Sequence, residues 1–175
     1  MPSATRTPRI LYEQRPSIRQ GNTVLKGIDQ LVAPDLLYAL AQMGHGDRLA
    51  LVDRNYPAYA SGRPVYRIDG AGIIAAASAI LKLFPVDTFV ECPAERMEVT
   101  GTPETVTAVQ REFMDLLASN TGRTIGMSSS SRDEFYQHVR EAFAVVSTSE
   151  SQPYSCFIIT KGTVPEIFPQ PASGM

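Results

Sequence analysis

The strongest constraint on this chain is an alternation of two periods. Short apolar or β-branched runs at Leu49–Val52, Val65–Ile68, Thr88–Val90, Met97–Thr100, Ala144–Ser147 and Phe157–Thr160 read as strands. Between them lie segments with helical spacing. Pro34 suits a first helical position and Gly44 the position after a helix end, so Asp35–Met43 reads as a helix. Ile73–Phe84 is apolar nearly all round, as a helix packed between other elements would be. Thr102-Pro103-Glu104-Thr105 resembles a helix start, with Val106, Val109, Phe113, Leu116 and Leu117 as its buried stripe. Ser131-Arg132-Asp133-Glu134 has the form of a capping box and predicts a helix to about Glu141. Strands alternating with helices predict a layered α/β domain with a largely parallel sheet.

The boundaries follow from where the pattern stops. Residues 1–23 hold Pro2, Pro8 and Pro16 and show no sustained period, so they read as an N-terminal arm. Residues 24–164 form a single domain, and 165–175 a tail. At 175 residues the chain can bury a core of its own without staples. The longest apolar run, Ala71–Leu81, is too short to span a bilayer, and the N-terminus has no secretory apolar stretch. Arg6, Arg9, Arg15 and Arg19 weakly resemble a transit peptide, but Pro8 and Pro16 interrupt any amphipathic helix there. The expectation is a soluble cytoplasmic protein.

Charge and metal-binding residues exclude more than they suggest. A formal net charge of −2 gives no electrostatic footprint for a nucleic acid or an anionic membrane. Cys92 and Cys156 are far apart and form no C-x-x-C pair, and there are two histidines, so neither a disulfide framework nor a metal site is expected.

Four segments can carry chemistry. In Met43-Gly44-His45-Gly46-Asp47 two glycines leave an imidazole uncovered between the first helix and the first buried strand. A histidine both gives and takes a proton near neutral pH, although a solvent-facing loop histidine would look the same. Asp53-Arg54-Asn55-Tyr56-Pro57-Ala58 follows that strand at its carboxyl end, where α/β sheets gather ligands, and Asp53 can accept several hydroxyl hydrogen bonds. Arg132 and Tyr136 offer a fork of donors and a phenol at a helix start, and His138 further along reads as structural or exposed. Pro153-Tyr154-Ser155-Cys156 leads into the last strand with another tyrosine.

In this order the segments resemble the fucose mutarotase and ribose pyranase family. Leu25-Lys26-Gly27-Ile28, Met43–Asp47, Asp53, Arg132 with Phe135-Tyr136, Ala142–Val146 and the closing Lys161-Gly162 carry the likeness, and Asn55-Tyr56-Pro57-Ala58 is similar to the fucose branch. The resemblance implies a three-layer α/β/α sandwich and ring-shaped homo-oligomers, often decamers, with sites at subunit contacts. It implies interconversion of the ring forms of a free monosaccharide, L-fucose before D-ribose, without metal or cofactor. His45 takes the proton-donor position, with Tyr136 as a second relay group. Asp53, Arg132 and Tyr154-Ser155-Cys156 take sugar-binding positions. Ser155-Cys156 stands where the family has Gly-Asn. A thiol cannot replace an amide's donors and acceptor, and a lost pairing in a desolvated site costs ~1–3 kcal/mol. A sugar-binding protein without turnover is the alternative. An assembly protein acting through the N-terminal arm and an unrelated sugar isomerase follow behind it.

One spacing adds a constraint of its own. If Leu49–Val52 is extended, His45 and Asp53 sit at opposite ends of a strand, up to about 26 Å apart at ~3.3 Å per residue. A single sugar cannot span that distance. A working site would then pair His45 of one subunit with Asp53 of a neighbour.

Overall fold

The structure is a computed structural model and describes residues 25–164. The proposed N-terminal arm and C-terminal tail lie outside the described residues. Six strands form one sheet: β1 (Arg48–Val52), β2 (Val65–Ile68), β3 (Ala94–Met97), β4 (Met127–Ser130), β5 (Ala144–Thr148) and β6 (Phe157–Thr160). Four helices accompany them: α1 (Pro34–Gln42), α2 (Ile73–Leu81), α3 (Ala108–Thr121) and α4 (Arg132–Glu141).

The strand order is β2-β5-β1-β6-β3-β4. Pairs β1–β5, β2–β5 and β3–β4 are parallel, while β6 runs antiparallel to both β1 and β3. The sheet is therefore parallel apart from β6. That one reversed strand puts its carboxyl end, Thr160-Lys161-Gly162, beside the start of β1.

Side-chain alternation builds the three layers. Leu49, Leu51, Ala144, Val146, Phe157 and Ile159 join one core with residues of α1, α2 and α3. Ala50, Val52, Val145, Cys156 and Ile158 face the other way, onto Phe135 and Val139 of α4. In the first core the rings of Phe113 and Phe157 stack at 3.8 Å, nearly parallel, and both are fully buried. Phe157→Ala is expected to cost ~3–5 kcal/mol. Chemical denaturation checks this as a lower midpoint at unchanged slope.

Local signals placed α1, α4, β2 and β6 as expected. Ser131 accepts from the Glu134 amide while Glu134 reaches back to Ser131, closing the capping box of α4. The interior of the chain differs in three places. Thr88–Val90 is a loop, and the strand expected at Met97–Thr100 is Ala94–Met97 instead. β3 was obscured because Glu95 and Arg96 are buried in it. Glu95 bonds His138 Nδ1 at 2.8 Å, and Arg96 donates to the carbonyls of Pro103 and Thr105. The Thr105 amide donates to the Thr102 carbonyl at 2.9 Å, so residues 102–105 form a turn, and the third helix starts later, at a second capping box formed by Thr107 and Gln110. The serine tract 128–131 supplies most of β4 and the cap of α4. No helix among the described residues is long and apolar enough to cross a membrane.

Candidate active site

His45 lies in the turn between α1 and β1. Met43 leaves the helix in extended geometry, and Asp47 closes the turn by accepting the Gly44 amide on Oδ2 at 2.7 Å. Gly46 has φ +86°, a conformation that needs glycine, and its amide donates to the Lys161 carbonyl at 2.8 Å. The imidazole is half exposed, and its Nε2 lies 3.2 Å from Oδ2 of Asp87, which is buried to 3%. A carboxylate can only accept, so Nε2 carries the hydrogen and Nδ1 is left to exchange protons. Asp87 is itself oriented, because its Oδ1 accepts the Phe89 amide at 2.9 Å. The Phe89 ring stands 5.7 Å from the imidazole and is 74% exposed.

A second constellation forms at the other end of β1. The Oδ1 atom of Asp53 accepts the amides of Asn55 at 2.9 Å and Tyr56 at 3.1 Å. The Cys156 thiol donates to its Oδ2 at 3.4 Å. Asp53, Asn55 and Tyr56, with Met97, Tyr136 and Tyr154, line a cleft of about 140 Å³ that Cys156 and Pro153 complete. The Tyr136 and Tyr56 rings meet edge to face at 4.7 Å. Burial, with Cys156 nearby, raises the Tyr136 phenol above its ordinary range. Tyr56 is raised by burial too.

Tyr154 has φ +60°, and it is the non-glycine among the described residues in the left-handed region. Such a conformation costs ~1–3 kcal/mol and persists only where its surroundings impose it. Gln110 imposes it: fully buried, it donates from Nε2 to the carbonyls of Tyr154 at 3.0 Å and Met97 at 2.9 Å. The strained backbone thus falls one residue before Ser155. Ser155 does not line the cleft, and its buried hydroxyl has no hydrogen-bond partner. Arg132 is exposed and outside the cleft lining, at the start of α4, where its charge acts on Tyr136.

Of the residues singled out in the sequence, the fold brings together Asp53, Tyr136, Tyr154 and Cys156. It places His45 apart from them. Sequence reasoning missed Asp87, Met97 and Gln110, and it quoted Asn55 and Tyr56 in a segment without giving either a role. Gln110 alone had a readable local signal, the Thr107-x-x-Gln110 capping pattern.

Burial, then the charge of Asp53, pushes the Cys156 thiol well above the usual range. A group with a raised folded pKa favours folding while it is protonated, and that contribution fades as pH climbs past the unfolded value. Stability is therefore expected to be flat through neutral pH and to fall above about pH 8.5. Cys156→Ala should lessen that alkaline slope. Denaturation series at stepped pH values check both expectations.

The chain matches the model of the RbsD / FucU transport protein family over residues 26–164. It is 41% identical to the human protein named fucose mutarotase, over 80% of this chain and 94% of that one. It is 37% identical to the L-fucose mutarotase of Histophilus somni, over 81% and 99% of the two chains. Among solved structures it is similar to the fucose mutarotase of Streptococcus pneumoniae in complex with L-fucose, with a TM-score of 0.75, 30% identity and coverage of 81% and 100%. A match of this extent, on top of the shared fold, shows that the chain belongs to the RbsD / FucU family.

Proposed function

We propose that the protein is a cofactor-independent isomerase that interconverts the anomers of a free monosaccharide, L-fucose before D-ribose. The observation that carries this is the His45–Asp87 pair: a half-exposed imidazole whose Nε2 is engaged by a buried carboxylate and whose Nδ1 remains for proton transfer. The names of the relatives point the same way. With hydrogens on both ring nitrogens, His45 gives its Nδ1 proton to the ring oxygen, and the bond between the anomeric carbon and the ring oxygen breaks. The bared Nδ1 takes the proton that the anomeric hydroxyl releases, and the open aldehyde rotates. Closure reverses each transfer, and no atom or electron is gained or lost. Asp53, Tyr154 and Arg132 hold the sugar hydroxyls, and Tyr136 is the second relay group. The unpaired cysteines, one exposed and one buried, suit a cytoplasmic enzyme.

A homo-oligomer, a decameric ring in the fullest form of this reading, completes the site. The cleft around Asp53 has about half the ~300 Å³ at which small-molecule pockets begin, so it needs another wall. His45 stands at the far end of β1, beside an exposed phenylalanine that a neighbouring copy would cover.

Saturation-transfer NMR with L-fucose and D-ribose tests the function directly. Accelerated exchange between anomers supports it and names the preferred sugar. Binding without acceleration would favour a sugar-binding protein. The thiol of Cys156 favours that second reading, because it already occupies one acceptor position of Asp53. Neither binding nor exchange would remove both.

A further inference from the structure

We infer that Lys161 and Gly162, at the reversed end of β6, are positioning residues that assemble the His45–Asp87 pair. The inference rests on the acid–base role proposed above for His45.

His45 and Asp87 are 42 residues apart and sit in separate loops. What the two loops share is this short segment. On one side the Gly46 amide donates to the Lys161 carbonyl, and the Lys161 amide donates to the Asp47 carbonyl, each at 2.8 Å. The turn holding His45 is thus docked on Lys161 just beyond the imidazole. On the other side the Asp87 amide donates to the Thr160 carbonyl at 2.9 Å, and the Gly162 amide to the Pro85 carbonyl at 2.8 Å. Val86 pairs with Lys161 in an antiparallel bridge. One residue of backbone therefore sets the separation of the two loops.

The Lys161 side chain fixes the approach to His45 as well. The last turn of α1 has no basic residue of its own, and its end carbonyls carry partial negative charge. The Lys161 ammonium donates to the Leu40 carbonyl at 2.8 Å and the Met43 carbonyl at 2.6 Å. These carbonyls lie at the end of the helix that leads into Gly44-His45. Gly162 fixes the other loop by contact. A Cβ there would stand 2.7 Å from the Val86 carbonyl oxygen and 2.8 Å from Asp87 Cα, both backbone atoms. Even an alanine would have to push the Asp87 backbone away from Gly162, shifting the loop that holds the carboxylate.

The test uses Lys161→Met, Lys161→Arg and Gly162→Ala in the full chain. The chain has two histidines, so the ring ¹⁵N signals of His45 are assigned by their loss in His45→Ala, with His138 as an internal control. In Lys161→Met and Gly162→Ala the His45 signals should move toward their positions in Asp87→Ala, while those of His138 stay. Misplacement of a reacting group by about 1 Å can cost ~10²-fold, so kcat for sugar exchange should fall by ~10–100-fold. The sugar is held elsewhere, so KM should stay within about twofold. Lys161→Arg keeps a cation and donors at the helix end and should recover most of the loss.

Unmoved His45 signals in both Lys161→Met and Gly162→Ala would overturn the inference. So would parallel movement of both histidines with a matching fall in kcat and KM, the mark of general loosening. If the wild-type protein accelerates no sugar, the proposed function falls, and the ring signals still decide this inference. Should Gly162→Ala fail to fold, Lys161→Met carries the test, since its side chain is only partly buried.

Discussion

His45→Ala is expected to lower the rate of anomer exchange by ~10²–10⁴-fold, the range a positioned acid–base group contributes. Sugar affinity should change far less, because the cleft proposed to hold the hydroxyls lies at the other end of β1. Asp87→Asn separates two parts of the histidine's role. An amide oxygen can still accept from Nε2, but the amide can also turn and donate, favouring the tautomer that leaves no hydrogen on Nε2. A smaller loss than that of His45→Ala is expected, with unchanged stability of the loop. Saturation transfer on each variant gives the rates, and titration with sugar gives the affinities. If His45→Ala retained the wild-type rate, the proton would have to move through another group, and Tyr136 would be the first to examine.

The second large effect is a rescue. His45→Ala and Asp53→Ala should each be inactive alone. If the site joins His45 of one copy to Asp53 of the next, unfolding and refolding the two variants together creates intact sites. Random assembly of equal amounts regenerates about a quarter of them. A site contained in one subunit would give no rescue at any ratio, because every chain would carry one defect. The measurement is exchange rate against mixing ratio, which should rise to a maximum near equal amounts. Asp53 is also held by the Asn55 and Tyr56 amides, so Asp53→Asn is the gentler second variant if alanine disturbs the turn.

The proposed division of the site comes from the same geometry that made its parts readable. His45 and Asp53 were legible because each sits at the end of an element with a local signature, one between glycines and one after an apolar strand. Their separation followed from strand rise alone. Cys156 was legible as a departure in sequence, and its contact with Asp53 was not, because the two are brought together only by the pairing of β6 with β1. Asp87 had no local signature at all. It lies just before the stretch expected to be a strand, and its role comes from a contact across 42 residues.

The failures at β3 and the start of α3 have one physical cause. Patterning works where a residue's own polarity tells which way it faces, and Glu95 and Arg96 are buried against that rule. Each is tolerated because a distant partner satisfies it: His138 for the carboxylate, the carbonyls of Pro103 and Thr105 for the guanidinium. His138→Ala would leave Glu95 without that partner, which is why a histidine of bland appearance in the sequence has a structural task.

From the chain alone, then, came the two periods, the place of α1 behind Pro34, the capping box of α4, the layered α/β class and the separation of His45 from Asp53. All of these rest on interactions between residues within a few positions of each other, or on the fixed rise of an extended backbone. The tertiary structure alone decided the reversal of β6, the burial of Glu95 and Arg96, the strained Tyr154 held by Gln110, and the pairing of His45 with Asp87. Each of those depends on hydrogen bonds between segments far apart in sequence, whose partners exist only once the sheet has closed its order.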